Sequence, residues 1–289
     1  MLSFKSYQEI DVATLHGLRY DMYSEVFGQN YSNREKGIKN LNRLLKYDPR
    51  FSWSVWDGDT PVAFLNVESG EYLGEQVAYL NLLGVLPAYR KQGLGSKLMA
   101  LSAQSSAEAG CRLNFLESVA AHTHVWQHYE RIGWEITRSF RCYEASSKPQ
   151  IHTPRERIPK SWTITPKREY IADEYSHIDQ YPTSWIWRPE TMPEDGGQQT
   201  VLELNDDKGC FAYVFALPMR ASIVRMEAAR EEDLACSILL EAITKRMLGD
   251  RMFFYHLDSR RVALCQLLES SGFKERLFLH EMVRNSRLS

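Results

Sequence analysis

The sequence predicts a protein of the α/β (α+β) class built from two domains. Strand-like and helix-like stretches alternate along the whole chain, which favours sheets packed against helices. The stretch at 148–160 holds three prolines and four basic residues, a composition typical of a linker. The second half then repeats the plan of the first. We therefore expect two related domains, at 1–147 and 161–289, joined by this linker.

Apolar periodicity and turn residues place the elements of the first half. Leu15, Leu18, Met22 and Val26 recur at helical spacing, and the sequence Asp57-Gly58-Asp59 predicts a hairpin turn between two strands. The expected strands are 3–8, 51–56, 61–68, 77–86, 112–117 and 134–145, and the expected helices are 12–27, 33–46, 123–132 and a stretch that ends near Ala109.

The second half shows the same alternation with matching helix ends. The expected elements are strands at 221–227 and 252–257 and helices at 230–248 and 260–271. In both halves 23 residues separate the glycines that close successive helices, Gly110 and Gly133 in the first and Gly249 and Gly272 in the second. The match favours a diverged second copy of the first domain, although two generic βαβα units would also produce it.

Composition and charge exclude several classes of function. A net charge of −2 over 289 residues gives no signature of nucleic-acid binding. No window approaches 18 uninterrupted apolar residues, and the N-terminal residues lack the apolar core of a signal peptide. The five cysteines are widely spaced and form no Cys-x-x-Cys pair, which favours reduced thiols over disulfides or zinc. We expect a cytoplasmic protein that needs no metal and binds no membrane.

A glycine-rich turn is the strongest chemical signal in the chain. Arg90-Lys91-Gln92-Gly93-Leu94-Gly95 lies between an apolar strand and a helix, where backbone N–H groups converge and the helix dipole attracts an anion. Glycines let a phosphate approach the backbone closely. Leu98 stands where a dinucleotide fingerprint needs glycine, and Gly95-Ser96-Lys97 is not the order of a P-loop.

The segment from Leu82 to Gly95, with its Arg-x-x-Gly-x-Gly turn, resembles the acetyl-coenzyme A signature of the GNAT superfamily of N-acetyltransferases. The resemblance implies two GNAT-like domains, each with a mixed, mostly antiparallel sheet flanked by helices, and a splayed central strand pair in the first. It also implies a set of residues that bind acetyl-CoA. These are Leu83, Gly84, Val85, Arg90, Lys91, Gln92, Gly93, Leu94, Gly95, Ser96, His122 and Tyr129.

The resemblance assigns these residues to different parts of the cofactor. The diphosphate would lie on the N–H groups of residues 92–96, and the pantetheine arm would pair with Leu83 and Val85. Gly84 inside the strand indicates either a β-bulge or a close packing contact. His122 replaces an asparagine that family members often carry seven residues before their tyrosine, so the usual contact to the pantetheine arm is not assured. Its imidazole is interpreted either as a base or as a side chain bonded to solvent or to a helix end.

Tyr129 is the candidate general acid for the departing thiolate. The segment from His128 to Trp134 resembles the family's Tyr-Glu-x-x-Gly-Phe, with Tyr129 at the position of the tyrosine. Helical spacing places Tyr129 on one face with Val125 and Ile132, which predicts an inward side chain. A core tyrosine bonded to the backbone is the alternative.

The general base is less well defined. Asn81, the one polar side chain between Tyr79 and Val85, is interpreted as a contact to substrate or water. Glu68 and Glu117 end predicted strands, where either could accept a proton through water, and solvated strand ends explain them equally well. An unassisted reaction of an amine that arrives neutral is a further alternative.

The second domain is expected to bind no cofactor. Counting back from Gly249 aligns Glu232 with Gly93 and Leu234 with Gly95, in a stretch with three carboxylates that would repel a diphosphate. Leu268 takes the place of Tyr129 and has no proton to give.

These features predict an N-acetyltransferase that moves an acetyl group from acetyl-CoA to the amine of a small molecule in a ternary complex, acting as a monomer or homodimer. The alternatives are a non-catalytic acyl-CoA sensor and a peptide or protein N-acetyltransferase. Two aromatic groups are candidates for the acceptor site or for packing between the domains. They are Tyr20, Tyr23, Phe27 and Tyr31 in the first domain, and Tyr175, Tyr181, Trp185 and Trp187 in the second.

Overall fold

The computed structural model describes residues 1–27, 34–44, 46–188 and 199–286. The chain forms two compact units. Unit 1 comprises Met1–Ser118, Gln127–Thr137 and Glu281–Ser289, and unit 2 comprises Val119–Trp126 and Arg138–His280. The predicted domain boundaries at 147 and 161 stay predictions.

The elements follow the predicted alternation. They are β1 (Leu2–Ser6), α1 (His16–Phe27), α2 (Arg34–Leu44), β2 (Trp53–Asp57), β3 (Thr60–Tyr72), β4 (Glu75–Val85), α3 (Leu94–Glu108), β5 (Leu113–Val119), α4 (Thr123–Arg131), β6 (Glu135–Ala145), β7 (Thr163–Lys167), α5 (Ala172–Tyr175), β8 (Thr200–Asp206), β9 (Gly209–Leu217), β10 (Ser222–Ala228), α6 (Glu232–Thr244), β11 (Met252–Asp258), α7 (Val262–Ser270) and β12 (Lys274–Asn285). None of these helices is long and apolar enough to span a membrane.

Unit 1 contains a mixed sheet in the order β1-β2-β3-β4-β5. Neighbouring strands are antiparallel up to β4, whereas β4 and β5 are parallel because α3 connects them as a crossover. The residues Val77–Leu80 of β4 are all buried, which matches their continuous apolar run. The last strand of the chain also contributes, because the Ser286 N–H donates to the Arg112 carbonyl at 2.9 Å.

A β-bulge interrupts β4 at Asn81. Asn66 on β3 pairs with Leu82 and Val67 pairs with Leu80, so Asn81 is the additional residue. The bulge therefore lies at Asn81 and not at Gly84, which pairs in register with Phe64.

Gly84 is instead a packing glycine. A Cβ there would lie 2.6 Å from both Met22 Cγ and Phe64 Cε1. The absent side chain allows α1 to approach the sheet and complete a buried apolar cluster. Its members include Leu15, Leu18, Tyr20, Met22, Leu41, Trp56, Phe64 and Leu82.

Unit 2 repeats this plan with the order β6-β11-β10-β9-β8-β7. Strands β10 and β11 are its parallel pair, and α6 connects them. The helices α6 and α7 cover a large apolar core that includes Leu239, Leu240 and Leu268. The predicted fold class, with mixed-sheet strands flanked by helices in each unit, is confirmed, whereas β7, β8, β9 and β12 lack a counterpart in the sequence-based assignment.

Candidate active site

The central parallel strands of unit 1 diverge. Pairing between β4 and β5 runs from Val77/Leu113 to Leu80/Leu116 and stops there, although β4 continues to Val85. The bulge at Asn81 follows the last paired residue directly, and bulges bend a strand and increase its twist. The splayed strand pair expected from the sequence is confirmed, and it opens a cleft beside the second half of β4.

The cleft edge of β4 presents backbone groups at Leu83 and Val85. The Leu86 N–H donates to Val62 on β3 at 2.9 Å, so strand alternation points the backbone groups of Leu83 and Val85 away from β3. β5 no longer pairs with them, and the Arg90 Nε–H donates to the Val85 carbonyl at 2.9 Å. The Leu83 N–H and C=O and the Val85 N–H thus lie at an unpaired strand edge, where an extended amide chain fits.

The glycine turn lies at the start of α3, next to the end of β4. Gly93 is the N-cap residue of α3 with φ 75°, a left-handed conformation that favours glycine. A Cβ at Gly93 would meet no atom within 4 Å, so open space lies over the turn. Leu94 is buried and anchors the helix, whereas Arg90, Lys91 and Gln92 are exposed. An exposed helix N-terminus with two cations beside it is suited to a diphosphate.

Two side chains fix the shape of this turn. The Gln92 side chain donates to the Ala88 carbonyl at 3.3 Å, and the Ser96 hydroxyl lies 3.0 Å from His128 Nε2 on α4. A Cβ at Gly95 would make an ordinary van der Waals contact with Leu83 Cδ2, 3.5 Å away. His128 carries no role predicted from the sequence, and its link to Ser96 joins the start of α3 to the helix that carries Tyr129.

Tyr129 lies on α4 against Trp134, with their ring centroids 6.3 Å apart. Desolvation raises the pKa of Tyr129 to about 12, so its hydroxyl keeps its proton at neutral pH. Among the described residues the hydroxyl has no hydrogen-bond partner, so the predicted alternative of a tyrosine bonded to the backbone finds no support here. Its general-acid role stays a prediction.

Three carboxylates surround Tyr79 beside the bulge. The Asn81 side chain donates to Glu68 Oε1 at 2.5 Å, which connects the bulge to β3. Burial raises the pKa of Tyr79 well above its usual value, and the nearby charges of Glu117, Glu68 and Glu281 raise it further. The structure therefore brings together three predicted residues, Asn81, Glu68 and Glu117, and adds Tyr79 and Glu281.

Glu281 was missed by the sequence analysis. It is 3% exposed, and its carboxylate accepts from the Thr137 hydroxyl at 2.9 Å and from the Tyr72 hydroxyl at 3.4 Å. It lies 164 positions after Glu117, and no local motif marks it. Only the position of β12 brings this carboxylate into unit 1.

Other predicted site residues lie elsewhere. His122 belongs to unit 2, where it is exposed and its backbone N–H donates to Val119 at 2.9 Å, so its contact to the cofactor stays a prediction. Tyr20 is buried in the core of unit 1 and Tyr23 is half-buried. Tyr31 and the side chain of Phe27 lie outside the described residues.

The aromatic group of unit 2 divides into two sets. Tyr175 and Trp185 are each 1% exposed, and the Tyr175 ring stacks on Tyr213 with centroids 4.2 Å apart. Tyr181 and Trp187 line a cavity of unit 2. Tyr175 and Trp185 therefore serve the core of their own unit.

The turn of unit 2 corresponds to that of unit 1 with a shift of one residue from the predicted alignment. Glu231 is the N-cap residue of α6 with φ 48°, so it corresponds to Gly93, and Asp233 corresponds to Gly95. The predicted pairing with Glu232 and Leu234 was wrong because a count back from Gly249 assumes that α3 and α6 end alike. Side chains and negative charge still occupy this turn, so the absence of cofactor binding in unit 2 stays a prediction.

No group of three or more His, Cys, Asp or Glu side chains within the described ranges is arranged to hold a metal ion. The residues at the β4–β5 cleft instead suit a thioester of coenzyme A. The open space over Gly93 leaves room for a diphosphate, and the edge at Leu83 and Val85, which β5 leaves unpaired among the described residues, offers hydrogen-bonding groups to an amide-containing arm.

Comparison with protein families identifies this region. Residues 15–134 match the model of the Acetyltransferase (GNAT) family, a range that includes the glycine turn and Tyr129. The resemblance predicted from the sequence is confirmed. No curated protein matches the chain.

Solved structures resemble the chain over nearly its whole length. A GCN5-related N-acetyltransferase from Sphaerobacter thermophilus has a TM-score of 0.69 at 13% identity, covering 99% of this chain and 96% of that one. A tandem GNAT protein from the clavulanic acid biosynthesis pathway has a TM-score of 0.61 at 12% identity, with complete coverage of both chains. A glucosamine N-acetyltransferase region of a fungal GH3 β-N-acetylglucosaminidase has a TM-score of 0.70 at 14% identity, covering 98% of this chain and 38% of that one. At these identities the likeness shows a shared fold.

Proposed function

Because residues 15–134 match the model of the Acetyltransferase (GNAT) family, we propose that unit 1 transfers an acetyl group from acetyl-CoA to the amine of a small molecule. The observation that carries the proposal is the cleft where β4 and β5 diverge, directly beside an open glycine turn at a helix start. Acetyl-CoA supplies an activated thioester when bound, and the chain supplies binding, orientation and proton transfer.

The binding elements lie in one line along the cleft. The N–H groups at residues 92–96 and the side chains of Arg90 and Lys91 hold the diphosphate. The edge at Leu83 and Val85 then orients the pantetheine arm toward the bulge at Asn81. Ser96, linked to His128, keeps the helix start in place while the cofactor is bound.

The carboxylates beside Tyr79 support an amine as acceptor. Glu68, Glu117 and Glu281 create a negative potential that attracts an ammonium group. Attack on a thioester needs the neutral amine, so one of these carboxylates, directly or through water, accepts the proton. Asn81 orients Glu68 through the 2.5 Å hydrogen bond, and the Tyr129 hydroxyl holds the proton needed by the departing thiolate.

Two measurements test this function. Calorimetric titration with acetyl-CoA should give one equivalent per chain, and release of free thiol should depend on an added amine from a panel of small amines and peptides. Turnover with peptides alone would favour the peptide acetyltransferase. Binding without turnover for any acceptor would favour the acyl-CoA sensor, and a lack of binding would remove the proposal.

A further inference from the structure

Unit 2 has a cleft of its own between its parallel strands. Pairing between β10 and β11 is limited to Ser222/Phe253 and Ile223/Phe254, although both strands continue. A β-bulge at Val224 follows directly, since the register shifts between Ile223 and Arg225. This cleft corresponds to that of unit 1, but its glycine turn has been replaced by acidic residues, so a different ligand is required.

A small cavity of about 30 Å³ lies in this cleft. Its walls come from β10, from β11 and from the segment that precedes and includes Trp187. The polar and aromatic side chains that line it include those of Ser184, Trp187, Arg225, Glu227, His256, Asp258 and Arg261. A space of this size holds one or two water molecules or a group as small as a carboxylate, and it excludes a nucleotide.

Ser184 is the residue that points to a ligand. It is 2% exposed and lines the cavity, and among the described residues its hydroxyl has no hydrogen-bond partner. Buried hydroxyls are almost always bonded to protein or to a bound molecule, because leaving one unpaired is costly. Ser184 is the N-cap residue of the short helical turn Trp185–Trp187, but its hydroxyl makes no capping hydrogen bond to that turn.

The hydrogen-bonding groups left over in the cavity are mainly donors. Asp258 accepts from Arg260 through Nε at 2.8 Å and Nη2 at 2.7 Å, and Glu227 accepts from Arg261. Arg225 is 6% exposed; its Nε donates to Asp179 and its Nη2 to the Tyr181 carbonyl, and Nη2 also lies 3.1 Å from Asp179 Oδ2 and 3.4 Å from Glu227 Oε1. Its Nη1 has no hydrogen-bond partner among the described residues. A buried guanidinium and a free hydroxyl together favour an anion with planar oxygens.

The backbone near the cavity is held in an unfavourable conformation. His256 has φ 53°, in the left-handed region, within a register shift of β11. The Trp187 indole N–H donates to His256 Nδ1 at 2.7 Å, which places the remaining ring proton of a neutral His256 on Nε2. Backbone strain of this kind is common where side chains are positioned for a ligand.

We propose that the β10–β11 cleft of unit 2 binds a small carboxylate of about two carbons, held by the Ser184 hydroxyl and the Arg225 guanidinium. This site lies wholly within unit 2 and is independent of the acetyl-CoA site proposed for unit 1.

Glu227 makes the binding dependent on pH. Desolvation raises the pKa of Glu227 to about 7; Arg261 and Arg225 lower it, Asp179 raises it, and a backbone hydrogen bond from Gln180 lowers it. A bound anion favours the protonated form of Glu227, so binding takes up a proton. Affinity for the carboxylate should therefore increase as the pH falls from about 8 to about 6, a range over which acetate stays ionised.

The test uses sodium acetate as probe on the full chain, with sodium chloride added to keep the ionic strength constant. Saturation-transfer NMR on the acetate methyl reports binding, and saturating coenzyme A removes any contribution from unit 1. We expect saturable binding that Ser184→Ala weakens by about tenfold, the loss of one hydrogen bond to a charged group. Ser176→Ala is the matched control, because Ser176 lies in the same unit but is exposed and donates to the Asp173 carbonyl.

Several outcomes would overturn the proposal. These are acetate binding that Ser184→Ala leaves unchanged, affinity that does not increase at lower pH, and a saturable response to methylammonium in place of acetate. A crystal soaked in acetate that shows only water at Ser184 would also overturn it. Ser184→Ala removes an unpaired hydroxyl and should not lower the thermal midpoint, so loss of binding is separable from loss of folding.

Discussion

Gly93 and Glu231 hold the same backbone position in the two units. Each is the N-cap residue of the helix that follows a central parallel strand, and each has a positive φ, 75° for Gly93 and 48° for Glu231. Glycine adopts this conformation without a steric cost, whereas glutamate adopts it at a cost in free energy. One conformation thus supports an open glycine turn in unit 1 and an acidic turn in unit 2.

Gly93→Asp should weaken acetyl-CoA binding by more than about tenfold, because a carboxylate at the helix start repels the diphosphate. Calorimetric titration measures the dissociation constant. Gly110→Asp is the control: Gly110 also has a positive φ of 90° and open space around it, but it follows the other end of α3. Equal losses of affinity in both variants would show that strain, and not the turn, controls binding.

Glu231→Gly should stabilise unit 2 by about 1 kcal/mol, because it relieves a left-handed glutamate. Thermal unfolding should show a midpoint a few degrees higher. Glu232→Gly, one residue along, should lower the midpoint, because Glu232 is helical and lies 2.6 Å from Arg261. A lower midpoint for Glu231→Gly would mean that its charge at the helix start outweighs the strain.

Tyr129→Phe should lower kcat by about tenfold to several hundredfold while the dissociation constant of acetyl-CoA barely changes. Because the pKa of Tyr129 is raised to about 12, the acid stays protonated below that value, and its ionisation should not reduce kcat up to about pH 10. Steady-state kinetics across pH checks both points. An unchanged kcat in the variant, with the chemical step rate-limiting, would remove Tyr129 from the mechanism.

We expect one of two substitutions, Glu68→Gln or Glu117→Gln, to remove the general base. Glu71→Gln is the control for both, because Glu71 is an exposed glutamate on the same strand as Glu68. Replacing the glutamate that acts as general base should lower kcat by about a hundredfold. The pH dependence of kcat should then shift towards the pKa of the free amine. The control should match the wild type. If neither Glu68 nor Glu117 affects kcat, the same comparison extends to Glu281→Gln, and an unchanged kcat in all three variants favours the unassisted reaction of a neutral amine.

Gly84→Ala should destabilise unit 1 by about 1 to 3 kcal/mol through overpacking, since the new methyl would lie 2.6 Å from Met22 Cγ and Phe64 Cε1. Gly84→Ala should cost less stability in the Met22→Ala background than in the wild type, because the truncated side chain makes room for the new methyl. Denaturation experiments on the four proteins of this cycle measure the coupling. Additive effects would show that Gly84 does not pack against Met22.

The sequence by itself determined the alternation of elements, the glycine turn after β4, the candidate acid Tyr129 and the acidic turn of the second half. These are local patterns, and hydrophobic periodicity and helix-end chemistry act over a few residues. Only the tertiary structure placed the bulge at Asn81, because the bulge depends on which residues pair between β3 and β4. It also packed Gly84 against Met22 of α1 and Phe64 of β3. It also brought Glu281 beside Tyr79 and, within the described part of the chain, left the Ser184 hydroxyl without a hydrogen-bond partner in a cavity, since strand pairing and burial join residues that no sequence spacing relates.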